Sequence, residues 1–290
     1  MRHRLVASAA LVAVLFAAGC TASAGSRDVT DGWPMIGAAS PFRPAVGTCH
    51  ETLEQTASVR TYEPVDCAQL HVSETFHIGT AQDAPVVPGP GSAQARQAYA
   101  ECATEAIDFL GSPWRSARIS VHLVWPSRTG WAGGARWFRC DVAEADLDAQ
   151  DDASRTGSLA GALRDGASPL KLGCFNPKVD DASVRTLTSV PCTAKHHAEY
   201  VGLWTGPEIP YAQQAADRTR TATGCRSAIA KYAGLPDDAD LQYRSGWISY
   251  NPTRTEWQLG ERRVRCFLWL SDRTLTRSLK DAGPSALPAH

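Results

Sequence analysis

Apolar positions along this chain fall into three patterns. The first is a run: residues 5–19, LVASAALVAVLFAAG, follow Arg2 and Arg4 and are apolar or small throughout. The run is shorter than the ~18 residues a membrane helix needs. A basic start, an apolar middle and a small-residue end predict a secretory signal over residues 1–20. Residues 21–40 are small, polar and non-periodic, and predict a flexible tether.

The second pattern is helical. Between Ser92, a helix-capping residue, and Gly111, a helix-ending one, Tyr99, Cys102, Ala103, Ala106 and Leu110 share one face. Residues 212–234 repeat the pattern with Cys225, Ala228, Ile229 and Tyr232 inward. The third pattern is alternation, over residues 58–67, 71–80 and 117–125, and again over 184–192 and 197–205. A closing strand puts Arg136, Phe138 and Cys140 on one face, with Trp137 and Arg139 exposed on the other. Its counterpart divides Arg262, Val264 and Cys266 from Arg263 and Arg265. Residues 126–130 read as a turn. Strands around one main helix predict an α+β unit, an antiparallel sheet packed on that helix.

The unit is written twice. PSRTGWAGGARWFRC ends at Cys140 and PTRTEWQLGERRVRC at Cys266. Cys49, Cys67, Cys102 and Cys140 recur as Cys174, Cys192, Cys225 and Cys266, at offsets of 125, 125, 123 and 126 residues. CAQLHVSE at Cys67 and CTAKHHAE at Cys192 share C-x3-H-x2-E, and Leu163-Arg164-Asp165 matches Leu279-Lys280-Asp281. The expectation is two tandem homologous domains, residues 41–166 and 167–284, with a tail at 285–290. Residues 146–157 read as a solvated insertion in the first; they lack the ligand spacing and turn glycine of a calcium loop.

Composition narrows the setting. The hydrophobic fraction of 43% supports a packed core, and a formal net charge of -1 recommends no nucleic-acid partner. Of nine cysteines, Cys20 stands at the end of the signal. The other eight, in an exported chain, predict disulfides. Spacing does not choose among the three pairings that four cysteines allow. The pairing expected here joins first to second and third to fourth: Cys49–Cys67, Cys102–Cys140, Cys174–Cys192 and Cys225–Cys266.

Few constellations offer chemistry. His71 with Glu74, and His196 with Glu199, have residue types that zinc sites use. On a strand, however, residues three apart face opposite sides, and the neighbouring cysteines are spent. They are read as structural, with no metal and no cofactor expected. His50 and His77 occur in one copy only and read as surface residues. Trp131 with Arg136, and Trp257 with Arg262, predict stacked cation–π pairs. Each arginine is expected to brace a buried acid such as Glu74 or Glu199. GSLAG at 157–161 looks like a nucleophile elbow but lacks the register and the preceding strand. No catalytic residue is assigned.

Ala17-Ala18-Gly19-Cys20 resembles the lipobox of bacterial lipoproteins. Together with VG-x-C, P-C-x3-H-x2-E, a helix cysteine and W-x2-G-x-R-x2-R-C, it resembles the septum-formation-related lipoproteins of actinobacteria. KLGCFN, VPCTAKHHAEYVG and WQLGERRVRC carry the match best; His50 and Ala68 depart from it. The resemblance implies lipidation at Cys20, palmitate included, and an anchor at the outer face of the cell membrane. It also implies a link to the envelope or division, and it brings no catalytic residues. The expected function is a non-enzymatic binding or structural module for an envelope protein or cell-wall component. Two alternatives stand beside it: a metal-dependent wall hydrolase using the His-x-x-Glu pairs, and a solute-binding lipoprotein with an inter-domain cleft.

Overall fold

Two antiparallel sheets take up most of the alternating segments. The computed structural model describes residues 41–54, 56–81, 84–147, 149, 151–180 and 183–289. The signal, the tether and Cys20 lie outside them. The first sheet contains β1 (Thr48–His50), β2 (Thr56–Ala57), β3 (Ser73–Thr80), β4 (Ile119–Pro126) and β5 (Trp137–Asp146), in the order β1-β3-β5-β4-β2, with β6 (Asp151–Ala153) beside the end of β5. The second contains β7 (Cys174–Asp180), β8 (Ser183–Val190), β9 (Ala198–Thr205), β10 (Gly246–Tyr250) and β11 (Arg263–Trp269), in the order β10-β11-β9-β7-β8. Strands at matching sequence positions are neighbours in the same order in both: β1-β3-β5-β4 against β7-β9-β11-β10.

Each sheet packs one face on a helix. In α1 (Ala93–Leu110) Ser92 caps the first turn through Ala95 N, and Gly111, at φ 83°, closes the last. Tyr99, Cys102, Ala103, Ala106 and Leu110 are buried as predicted. The second helical pattern is broken. It forms α3 (Tyr211–Ala216) and α4 (Arg218–Ala233), because Asp217 leaves helical geometry at φ -103°, ψ 79° and caps α4 through Arg220 N. The expected turn at 126–130 is instead the start of a short helix, α2 (Arg128–Ala132), matched by α5 (Arg254–Gln258). Ser127 and Thr253 supply the N-caps. Residues 58–67 are not a strand; β2 is two residues long, and turns follow it.

The four expected disulfides are all present. Cys102–Cys140 and Cys225–Cys266 join the main helix to the closing strand, and Cys49–Cys67 and Cys174–Cys192 close 18-residue loops. Each stabilises by about 2–4 kcal/mol, chiefly by restricting the unfolded chain.

Both faces of the first sheet are covered. Trp137 and Arg139, read as exposed, are 2% and 0% exposed, because Phe42, Glu54 and Ala57 fold back over them. Trp137 Nε1 donates to Phe42 O at 2.7 Å. The insertion is not wholly solvated either: β6 pairs with β5, and the Asp152 carboxylate sits against Ser120 and, at 2.9 Å, His122. Pro41–His290 packs as one compact unit. Residues 170–172 run beside 116–118, with Arg118 N donating to Leu170 O and Leu172 N to Ser116 O. Leu147 enters the core of the second sheet and Leu259 that of the first.

Candidate functional site

Carboxylates buried in a protein must be met by donors, or they cost several kcal/mol. Glu74 and Glu199 are 3% and 0% exposed, and both are met. Glu199 accepts from Tyr232 OH at 2.8 Å, Ser278 OH at 3.0 Å, Leu279 N at 3.0 Å and His196 Nε2 at 3.0 Å. Glu74 accepts from Ser158 OH at 2.6 Å and Leu159 N at 2.7 Å. Each glutamate therefore fastens a Ser-Leu step in the closing segment of its half to the sheet. Burial, with the carboxylate beside it, pushes the Tyr232 hydroxyl well above the usual phenol range.

The histidines complete the fastening. His71 pairs through its backbone with Arg155, and His196 with Leu275. Their Nδ1 atoms meet Gln69 O and Ala194 O, each at 2.8 Å. The expectation that His and Glu diverge fails for His196 and Glu199. The histidine lies ahead of β9, where the chain turns, so it folds back onto the carboxylate. In the first half the pair does not bond, and His71 Nε2 is buried without a hydrogen-bond partner.

The structure also corrects the internal match. Ser158-Leu159 corresponds to Ser278-Leu279, not Leu163-Arg164-Asp165 to Leu279-Lys280-Asp281. Gly161 N bonds Phe109 O as Asp281 N bonds Tyr232 O, and the two residues share positive φ, 68° and 56°. Ser158, in the segment that looked like a nucleophile elbow, donates a hydrogen bond to Glu74.

Cys Sγ, His and Glu ligand atoms do cluster: Cys49, Cys67 and Glu74, and Cys174, His196 and Glu199, lie within 4.8 Å of one another. A zinc ion needs thiolates there. With the sulfurs in disulfides, the first cluster keeps one donor and the second two, so neither fits a zinc ion while oxidised.

The repeated tryptophan phrase builds a latch. Arg136 lies over Trp131 at 4.4 Å and Arg262 over Trp257 at 4.3 Å, the expected cation–π geometry. The expected brace to Glu74 or Glu199 does not form, because those carboxylates are taken. Arg136 Nη1 instead donates to Trp131 O at 2.7 Å and Ala135 O at 3.0 Å, and Arg262 Nη1 to Trp257 O and, at 3.1 Å, Glu261 O. Gly134 and Gly260, at φ 92° and 101°, provide the reversal that aims each arginine back. Trp131 Nε1 then holds Ala84 O at 2.8 Å and Trp257 Nε1 holds Ile209 O at 2.7 Å.

A polar network that sequence reasoning missed lies under the first sheet. Arg139, 0% exposed, contacts Asp141 at 2.7 Å and Glu54 at 3.3 Å. Thr75 OH donates to Asp141 at 2.8 Å, so His50, 3.1 Å from the same hydroxyl, must donate through Nε2. His50 is buried, not a surface residue. His77 is a quarter exposed and meets Glu101 at 2.7 Å. Burial, with Arg139 adding to it, lowers the His50 pKa to about 4.

Between pH 6.5 and 4 the unfolded chain binds a proton at His50 that the folded chain refuses, so stability is lost as pH falls. The loss should be ~3 kcal/mol. In urea titrations at pH 7 and pH 4, His50→Gln should lose about that much less than the wild type. Equal losses would show that His50 titrates normally.

One groove stands apart from these elements. It encloses about 770 Å³ along β10 and is lined by residues from Val184 to Arg273, among them Arg218, Arg226, Arg244 and Arg273. Its lining comes from the second half alone, so it is not the inter-domain cleft of the solute-binding alternative. No short motif links these arginines, so periodicity and spacing gave no signal for them.

A family model described as septum formation matches residues 46–266, a span that contains all eight disulfide cysteines. No curated protein and no solved structure matches.

Proposed function

Because the chain belongs to the septum-formation family, we propose that it is a non-enzymatic lipoprotein acting as a binding and structural module at the cell envelope. In this reading Cys20 carries the lipid, the chain sits at the extracytoplasmic face of the cell membrane, and its role is tied to septum formation. The two sheets of matching strand order are then products of a tandem duplication. Among the described residues no helix is long and apolar enough to cross a membrane.

The observation that carries the reading is the occupancy of Glu199. Its oxygens are filled by four groups of the chain itself, and the sulfurs beside it are bonded to each other. A general base or metal ligand needs a free lone pair facing a substrate. Here the motif fastens the fold, and that explains its presence in both halves.

The test is a native mass of the full chain, before and after reduction, with zinc present throughout. The oxidised chain should weigh eight hydrogens less than the reduced one, begin at a lipidated Cys20 and hold no stoichiometric zinc. Stoichiometric zinc on the oxidised chain, or release of wall fragments by it, would replace this reading with the metal-dependent hydrolase.

A further inference from the structure

Strand edges expose backbone donors and acceptors, and proteins cover them or suffer pairing with other chains. In both sheets the strand beside the closing strand leaves one edge largely unpaired among the described residues. In the first, Thr56–Ala57 runs parallel to the end of β4, pairing with Trp125 and Pro126, and Ser127 N donates to Ala57 O at 2.9 Å. In the second, β10 pairs with β11 on one side, and among the described residues no strand lies on the other. Gly246, Trp247, Ile248 and Ser249 of β10 line the groove of about 770 Å³.

The groove is cationic on a chain whose formal net charge is -1: four arginines face one acid, Asp272, in its lining. Two of the arginines are held in place by the closing segment, Arg244 Nη1 by Leu287 O and Arg273 Nη2 by Ala286 O, both at 2.8 Å. The Nε atoms of Arg226, Arg244 and Arg273 are shielded from water without a hydrogen-bond partner. A guanidinium held by one nitrogen presents the rest at little entropic cost.

We propose that this groove binds an extended acidic segment of a partner protein, which adds as a strand to β10 while its carboxylates meet the arginines. This rests on the reading of the chain as a binding module and names the class of its partner. Strand addition supplies affinity through the main chain, and the arginines supply the preference for acid. A phosphate or carboxylate polymer would satisfy the arginines alone. It has only acceptors, and would leave the outward carbonyls of β10 unmatched.

The test uses the full chain in neutral detergent and a fluorescein-labelled octapeptide of alternating glutamate and valine, read by anisotropy at low salt. Saturable binding of one peptide per chain is expected. A peptide N-methylated at alternate positions should bind at least about tenfold more weakly. Arg218→Gln with Arg226→Gln, neither of whose side chains makes a hydrogen bond or ion pair within the described residues, should weaken binding by about tenfold with unchanged melting. Equal binding of the N-methylated peptide, or competition by inorganic polyphosphate at equal charge, would replace strand addition with polyanion capture. Absence of saturable binding would overturn the site. Neither result bears on zinc content or turnover, so the functional reading stands or falls separately.

Discussion

Glu199→Ala should lower the free energy of unfolding by about 3–5 kcal/mol, the range for breaking a buried charged network from one side. The reason is the number of groups left behind. Tyr232 and Ser278, both half-buried, and Leu279 N and His196, both buried, all lose their acceptor. Glu74→Ala leaves only Leu159 N buried without its acceptor, because Ser158 is exposed, and should cost less, about 1–3 kcal/mol. Urea unfolding of both variants gives the comparison. If Glu199→Ala stayed within about 1 kcal/mol of the wild type, the carboxylate would not be fastening the closing segment, and the motif would be free for another role. A catalytic glutamate predicts the opposite pattern, because active-site carboxylates are held at a cost in stability and their removal is often neutral or stabilising.

The frame of this molecule was legible because its signals are local or repeated. Cysteine offsets near 125 residues disclosed two equivalent sets, and equivalent sets made one pairing scheme serve both halves. Ser92 and Gly111 marked the ends of α1 through capping chemistry that acts within one turn. Trp-x2-Gly-x-Arg disclosed its stacking because the arginine needs only five residues and one glycine to reach back over the indole.

What stayed hidden depends on segments far apart in sequence. Trp137 and Arg139 alternate correctly against Phe138 and Cys140, and alternation alone assigns them to solvent. They are buried because Phe42, Glu54 and Ala57 return to cover that face. His-x-x-Glu was read as divergent because strand geometry was assumed to begin at the histidine. The histidine in fact precedes the strand and pairs with Leu275, which lies 79 positions away in the chain. The groove arginines come from α4, from the loop before β10 and from the loop after β11, and only the fold brings them together. Folding requirements that recur were visible; surfaces that differ between the halves were not, and a repeat obscures them by drawing attention to what the copies share.

The contact between the halves carries the second large prediction. Arg115, beside the first sheet, and Glu261, beside the second, are 146 residues apart and bond through Nε and Oε2 at 2.6 Å. Their side chains are 8% and 5% exposed. The Arg115 guanidinium lies 4.0 Å over Trp114, and the backbone carbonyl of Arg115 accepts from Arg265 Nε at 3.0 Å. Glu261 also accepts from Arg263 Nε at 2.7 Å. Burial pushes its carboxyl up, but the bonds to Arg115 and Arg263 outweigh that and hold it below the usual carboxylate range. Arg115→Met should therefore cost about 3 kcal/mol, the low end for a broken buried pair because Arg263 remains to meet the charge. A double-mutant cycle with Glu261→Gln should return a coupling of at least about 1 kcal/mol. The coupling should be fully present at pH 7 and fade as pH falls through the lowered folded value, where Glu261 takes up its proton and the bond to Arg115 weakens. A coupling near zero at pH 7 would mean that the pair only fills space, and that the halves are joined by the neighbouring backbone bonds and by Leu147 and Leu259 crossing into each other's cores. A strong coupling makes the relative placement of the two sheets a fixed property of the fold, so that the open edge of β10 is presented at a set angle to whatever the chain meets.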